Sequence, residues 1–269
     1  MSLSTTVGQL KSLLSGESVK SRFHEILGKK AAGFTSSIIS VVNSNSLLQV
    51  ADPQSVLNSA VIAATLDLPI NPNLGFAAIV PYNDRKSGKC IAQFQLMYKG
   101  LVELCLRSGQ FASLIDEVVY EGQIVKKNKF TGEYIFDEDA KTSNKVIGYM
   151  AYFRLVNGFE KTFYMTSEEV TAHAKAYSQS FKSGYGVWKD NFDIMARKTV
   201  LKLLLSKYAP KSIEMQRAIT FDQAAVKGDL TETNVDEAEI EYIDNESGSD
   251  KIKQAAEDAV IQSQQKTLL

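Results

Sequence analysis

Between Thr171 and Ala218 stand nine basic residues against three acidic ones, with aromatic residues set among them. Lys198 and Lys202 are four apart, so on a helix one lies a turn above the other, with Arg197 beside them. Phe192, Met195 and Leu203 supply an apolar face opposite. A row of cations can take phosphates while nearby rings stack on unpaired bases, and Tyr185 and Trp188 are placed for that, with Lys182 and Lys189 flanking them. The same pattern also describes a solvated helix face over a core, with Trp188 as a core anchor. A second basic group is Arg85, Lys86, Lys89, Lys99 and Arg107. Lys99, Glu103 and Arg107 share one helix face, so a salt-bridge ladder reads as well there as a phosphate contact. Gln93 and Gln95 alternate with Phe94 and Leu96, which puts neutral polar groups on one face of a strand just before Tyr98.

The usual enzyme signatures are missing from the sequence. No glycine loop ends in Lys-Ser or Lys-Thr, so a nucleotide has no phosphate cradle. The two histidines, His24 and His173, make neither a zinc-protease pair nor a histidine-rich metal centre. Asp84-Arg85-Lys86, with Asp67 upstream, fits the carboxylate and lysine half of a metal-dependent nuclease, but a solvated turn explains so short a pattern better. Cys90 and Cys105, with fourteen residues between them, fit neither a zinc ribbon nor a disulfide scaffold, and a reducing cytoplasm suits them. No apolar run is long enough to span a membrane, and no secretory leader opens the chain. No cofactor, metal or catalytic residue is expected.

The net charge of −1 hides an asymmetry. Residues 1–228 hold 27 basic and 20 acidic residues, whereas the chain from Asp229 holds eleven acidic residues and three lysines. A basic body with an acidic tail points to a polyanion as partner.

The elements that must position these residues follow from period and punctuation. Residues 1–50 read as helical, with a long segment from Phe34 to Val50. Asp52-Pro53 opens a buried helix over Ser55–Leu66, because aspartate caps and proline suits a first turn. Strands are expected at Gly75–Tyr82 and Lys89–Met97, a helix at Tyr98–Arg107, and strands at Phe111–Tyr120, Tyr134–Phe136, Val146–Val156 and Phe159–Met165. Asn157-Gly158 marks a hairpin turn. Thr166 and Glu169 form a capping box for a helix towards Ser180. Further helices are expected over Trp188–Tyr208 and Ile213–Val226. Strands followed by helices predict an α+β fold, an antiparallel sheet packed with helices. Four regions result: an N-terminal helical region at 1–50, a candidate contact between subunits, a core at 51–228, a flexible acidic linker at 229–250, and a short partner-binding helix or disordered tail at 251–269.

Blocks along the chain resemble the RecT-type phage recombinases. They are Leu66-Asp67-Leu68-Pro69 through Gly75, Val80-Pro81-Tyr82, Gln93, Tyr98-Lys99-Gly100-Leu101 and Arg107-Ser108-Gly109, then Trp188, Met195-Ala196-Arg197-Lys198-Thr199 and Ser212 through Ala218. They run in the family's order over roughly residues 60–220. Arg197 stands where relatives often carry lysine, and Lys99 where they often carry arginine, which keeps the charge but alters hydrogen-bond geometry. The resemblance implies a Rad52-like annealing core and ATP-independent pairing of complementary single strands in phage recombination inside a bacterial cytoplasm. It implies a ring or helical filament of copies, and a phage exonuclease and a host single-strand-binding protein as partners of the tail. Single-stranded DNA and the annealed duplex would lie in a positive groove. Its first phosphate contacts are expected to be Lys99, Arg197, Lys198 and Lys202, then Arg85, Lys86, Lys89, Arg107, Lys182 and Lys189. Gln93, Tyr98, Tyr185 and Trp188 would line the groove or stack. A metal nuclease and a passive strand-coating protein are the competing classes.

Overall fold

The computed structural model describes residues 3–84, 88–128, 130–184 and 186–242. It is α+β, with antiparallel sheets, and divides into two compact units. One takes the chain up to Gly100 and again from Arg217; the other runs from Leu101 to Gln216.

The first unit opens with α1 (Leu3–Ser15), α2 (Glu17–Leu27) and α3 (Ala31–Asn43). The long helix expected to reach Val50 stops at Asn43 because the Asn45 side chain accepts from the Leu47 and Leu48 N–H groups, at 3.0 and 3.3 Å, and turns the chain. Only one 3-10 turn, Leu48–Val50, follows. α4 (Pro53–Thr65) starts as the sequence predicts: Pro53 sits in the first turn and the Asp52 carboxylate accepts from Ser55 N–H at 2.8 Å. Every residue from Val56 to Ala64 is buried, so α4 is the central helix, with α1, α2 and the hairpin strand β2 against it.

β1 (Ala77–Asn83) and β2 (Cys90–Leu96) pair antiparallel, with Ala77 opposite Leu96 and Asn83 opposite Cys90. A two-stranded ribbon leaves β2 with polar groups facing away from β1, and buried ones must find partners. Four of them do. Cys90 C=O accepts from Asp52 N–H at 2.8 Å, and Ala92 N–H donates to Ser55 Oγ at 2.8 Å. Phe94 C=O accepts from Gln223 N–H, and Leu96 N–H donates to the buried Asp222 carboxylate, both at 2.9 Å. α5 (Tyr98–Arg107) follows at once. Its Gly100 is obligatory, since a Cβ there would stand 2.1 Å from the Phe76 carbonyl oxygen.

The second unit is built on β3 (Phe111–Tyr120), β4 (Ile124–Asn128), β5 (Glu133–Phe136), β6 (Val146–Leu155) and β7 (Glu160–Thr166). β6 is the middle strand of the antiparallel sheet β3-β6-β7, and β4 and β5 form a separate hairpin. β4 was not expected; its Lys126-Lys127-Asn128 run has the composition of a loop. The Asn157-Gly158 turn joins β6 to β7 as predicted, with Gly158 N–H on Leu155 C=O at 3.0 Å. Both capping-box bonds are present, Glu169 N–H to Thr166 Oγ1 at 3.1 Å and Thr166 N–H to the Glu169 carboxylate at 2.8 Å, and α6 (Ser167–Tyr177) follows. Next come α7 (Gln179–Ser183), α8 (Val187–Asp190) and α9 (Phe192–Tyr208). The single helix expected from Trp188 is thus broken at Asn191, whose φ of −144° and ψ of 62° leave helical geometry. α9 lies on the sheet through Ala196, Val200, Leu201, Leu204 and Leu205. Phe192, Met195 and Leu203, read as the core face, are half-buried.

α10 (Ile213–Phe221) returns the chain to the first unit. It ends before Val226 because residues 222 and 223 close the β2 edge and β8 (Ala225–Val226) pairs with β9 (Ile240–Glu241). Residues 229–242 differ from the flexible linker that composition implied. Leu230 and Val235 are buried, and Leu230 N–H and Gly228 C=O are held by the two ends of the Asn58 amide, at 3.1 and 2.8 Å. Arg217 grips Asp236 with two bonds, Lys227 meets Glu239 and Glu241, and the Tyr242 hydroxyl donates to Thr220 C=O. Residues 243–269, the rest of the expected linker and tail, lie outside the described residues. A chain ending after Gly228 should lose about 3 kcal/mol or more through the burial of Leu230 and Val235, and melt at least ~6 °C lower. A chain ending after Tyr242 should melt like the full-length protein. Thermal unfolding of the two truncations checks this.

Candidate nucleic-acid interface

α9 carries three of the four cations that the sequence ranks first, Arg197, Lys198 and Lys202, and the structure gives them different tasks. Arg197 donates from Nε to the Asp116 carboxylate at 2.7 Å and from Nη2 to the Asp116 backbone carbonyl at 2.6 Å, with Glu117 3.5 Å away. Asp116 is 5% exposed, on the edge strand β3. A buried carboxylate needs a charged partner, and Arg197 supplies one while also satisfying a carbonyl at the sheet edge. Two neighbouring edge groups are closed in the same way: Val118 N–H by the Glu117 carboxylate at 3.2 Å, and Tyr120 N–H by Gln123 Oε1 at 2.9 Å. Near its start α9 is tied to the sheet again, the Tyr149 hydroxyl donating to Asp193 at 2.6 Å. Burial and the Asp193 carboxylate push the Tyr149 phenol well above its ordinary range, so it remains a donor.

Lys198 and Lys202 lie one turn apart on α9 with half-buried side chains. Burial and then the Lys202 charge lower the pKa of His173 on α6, so that imidazole is neutral at pH 7 and adds no charge beside the lysines. Lys182 and Lys189 are exposed. Trp188 is a core residue, 5% exposed and edge-on to Phe181 and Phe192 at 5.5 and 5.4 Å, which removes it from the stacking candidates. Arg107 lies over Glu103 at 3.3 Å, one rung of the expected ladder. These residues all belong to the second unit.

The first unit holds the other group. Lys99 is exposed in the first turn of α5, its stem against Gly75, and Tyr98 is half-buried. Lys89 is exposed beside β2. Gln93 is 4% exposed, and its amide nitrogen has no hydrogen-bond partner. Asp67, weighed as a metal ligand, receives Lys30 Nζ at 2.6 Å. Arg85, Lys86 and Tyr185 lie outside the described residues.

Sequence reading missed Lys127 and Lys161 and left Lys207 unranked. Each faces an aromatic ring: Lys127 over Tyr134, Lys161 over Tyr208 and Lys207 over Phe163. The only signal in the sequence was the alternation of Lys161 and Phe163 along one strand.

Arg197→Ala should expose the role of the Asp116 pair. It takes the guanidinium away from a buried carboxylate and an edge carbonyl, and is expected to cost about 3 kcal/mol and lower the melting temperature by about 6–12 °C. Arg197→Lys, which keeps the charge and loses the fork, should recover only part of that in the same thermal scan.

The RecT family model matches residues 32–241, which takes in all of the second unit and the first from α3 onward, and ends one residue short of Tyr242. An uncharacterized protein of Bacillus subtilis, YqaK, is 49% identical over 238 residues, 88% of this chain and 79% of its own length. Protein RecT of Escherichia coli is 32% identical over 203 residues, 72% of each chain. With a family model spanning most of the chain and a relative of this identity and coverage, the protein belongs to the RecT family.

Proposed function

We propose that this protein anneals complementary single strands of DNA during recombination, without a nucleotide cofactor. The observation that carries the proposal is the family match over residues 32–241, which supports a single-strand annealing recombination protein. Physical chemistry agrees with it. Duplex formation releases about 1.4 kcal/mol per base-pair step, so pairing needs no fuel. What slows it is repulsion between phosphates and the search for register, which a basic, multivalent surface relieves. In this proposal Lys198 and Lys202 take phosphates in one unit, with Lys182 and Lys189, and Lys99 and Lys89 do so in the other. Arg85 and Lys86 join the latter, and Arg107 contributes charge beside Glu103. Tyr98 and Tyr185 are the remaining aromatic contacts; Gln93, as buried as Trp188, leaves the contact set with it. Arg197 serves chiefly to hold α9 to β3. Copies assemble into a ring or helical filament. Residues 243–269 recruit an exonuclease and a single-strand-binding protein in a bacterial cytoplasm carrying a phage or prophage. No helix among the described residues is long and apolar enough to cross a membrane.

Two experiments test this. Purified protein should pair complementary oligonucleotides with no nucleotide present and leave them full length when magnesium or manganese is added. Coating without pairing would favour a passive binder, and metal-dependent shortening abolished by Asp84→Ala would favour a nuclease. In the second, Lys198→Ala/Lys202→Ala should weaken single-strand binding and reduce the slope of log affinity against log salt by about 1.4. A folded variant with an unchanged slope would make the pair an ordinary solvated face.

A further inference from the structure

Three elements of the second unit converge at the turn between β4 and β5. The tip of Lys161, from β7, reaches the turn: a Cβ on Gly132, at φ +69°, would stand 2.9 Å from Lys161 Nζ. Lys161, the second residue of β7, lies over the ring of Tyr208, at the end of α9, at 5.2 Å. One residue before Tyr208, Lys207 lies 5.8 Å from the centre of Phe163 on β7. On the hairpin itself Lys127 lies 5.6 Å from the centre of Tyr134. Among the described residues no carboxylate is paired with any of these three lysines; the nearby ion pairs belong to Lys126 with Glu133 and Lys145 with Glu121.

Two aromatic rings of this cluster reach solvent. Phe130, in the turn, is 89% exposed, and Tyr208 is 40% exposed. A phenylalanine on a turn tip gains nothing from the core, and lysines without acidic partners add a positive field around it. A cation over a ring near the surface is weakly held, so these ammonium groups can be given up to a stronger anion. Flat apolar faces among cations match a polyanion whose own flat faces are uncovered. A duplex buries its base faces in its stack, and an acidic peptide has the charge without the rings.

We infer that the cluster at the β4–β5 turn binds single-stranded DNA, with Lys127, Lys161 and Lys207 on phosphates and Phe130 and Tyr208 stacked on unpaired bases. The inference rests on the reading of the protein as a single-strand binder, and adds a contact surface separate from the Lys198–Lys202 row.

The test uses the full-length protein, a dye-labelled oligothymidine and a duplex of equal length, with binding followed by anisotropy across a salt series. Phe130→Ala cannot disturb the core, and Lys161→Gln/Lys207→Gln keeps the side-chain stems; thermal unfolding verifies that both fold. Phe130→Ala is expected to bind the single strand roughly tenfold more weakly and the duplex unchanged. Lys161→Gln/Lys207→Gln is expected to lower the single-strand salt slope by about 1.4. If both bind the single strand like the parent protein while Lys198→Ala/Lys202→Ala is weakened, the cluster is overturned and the broader reading stands. Equal losses on single strand and duplex in the lysine variant, with none in Phe130→Ala, also overturn it, because no base is then stacked. A parent protein that does not bind the oligothymidine removes both.

Discussion

Small sheets have proportionally long edges, and in this protein the need to satisfy those edges organises nearly everything else. β1 and β2 make a two-stranded ribbon and β3, β6 and β7 a three-stranded sheet. A buried edge carbonyl or N–H left bare costs on the order of a hydrogen bond's desolvation, about 1–3 kcal/mol. The chain closes the edge of β2 with the start of α4 on one half and the return segment after α10 on the other. It closes the edge of β3 with side chains, Arg197 foremost. The same caps discourage pairing with a strand from another molecule at those edges.

The arginines and many of the lysines are used differently. Arg107, Arg197 and Arg217 all engage carboxylates, and the last two use the guanidinium as a fork that a lysine cannot reproduce. Many of the lysines instead stand at the surface, on a helix face or over a ring. Summed charge treats both types alike and so overstates what the arginines offer to a phosphate. The acidic segment is misread for the same reason: six of the eleven acids after Gly228 fall within residues 229–242, where Arg217 and Lys227 answer three of them.

How far the sequence could be read follows the range of the interactions involved. Asp52-Pro53, the Thr166–Glu169 box and the Asn157-Gly158 turn act within a few residues, and each lies where it was expected. The α+β class followed from their order. The family blocks likewise lie within the matched region. What stayed hidden depends on partners far along the chain. Arg197 and Asp116 are 81 residues apart, and Asn58 meets Leu230 across 172. Trp188 has the same neighbours in sequence whether it stacks on a base or packs on Phe181, so its sequence alone does not decide between them. β4 was lost because lysines on an exposed ribbon look like a loop.

The threading of the chain also sets a timetable for synthesis. The first unit is interrupted by the whole of the second, and the Leu96–Asp222 bond that closes its β2 edge spans 126 residues. At a bacterial or eukaryotic ribosome's about 5–20 residues per second, that gap is on the order of 6–25 s. During it α1 to α4 and the β1–β2 ribbon are outside the ribosome with half of an edge uncovered, while the second unit, continuous in sequence, can finish folding. The nascent chain thus passes through a stage in which its earliest-made part is its least complete, and that stage, rather than the finished molecule, is where a chaperone or a neighbouring nascent chain finds an exposed strand.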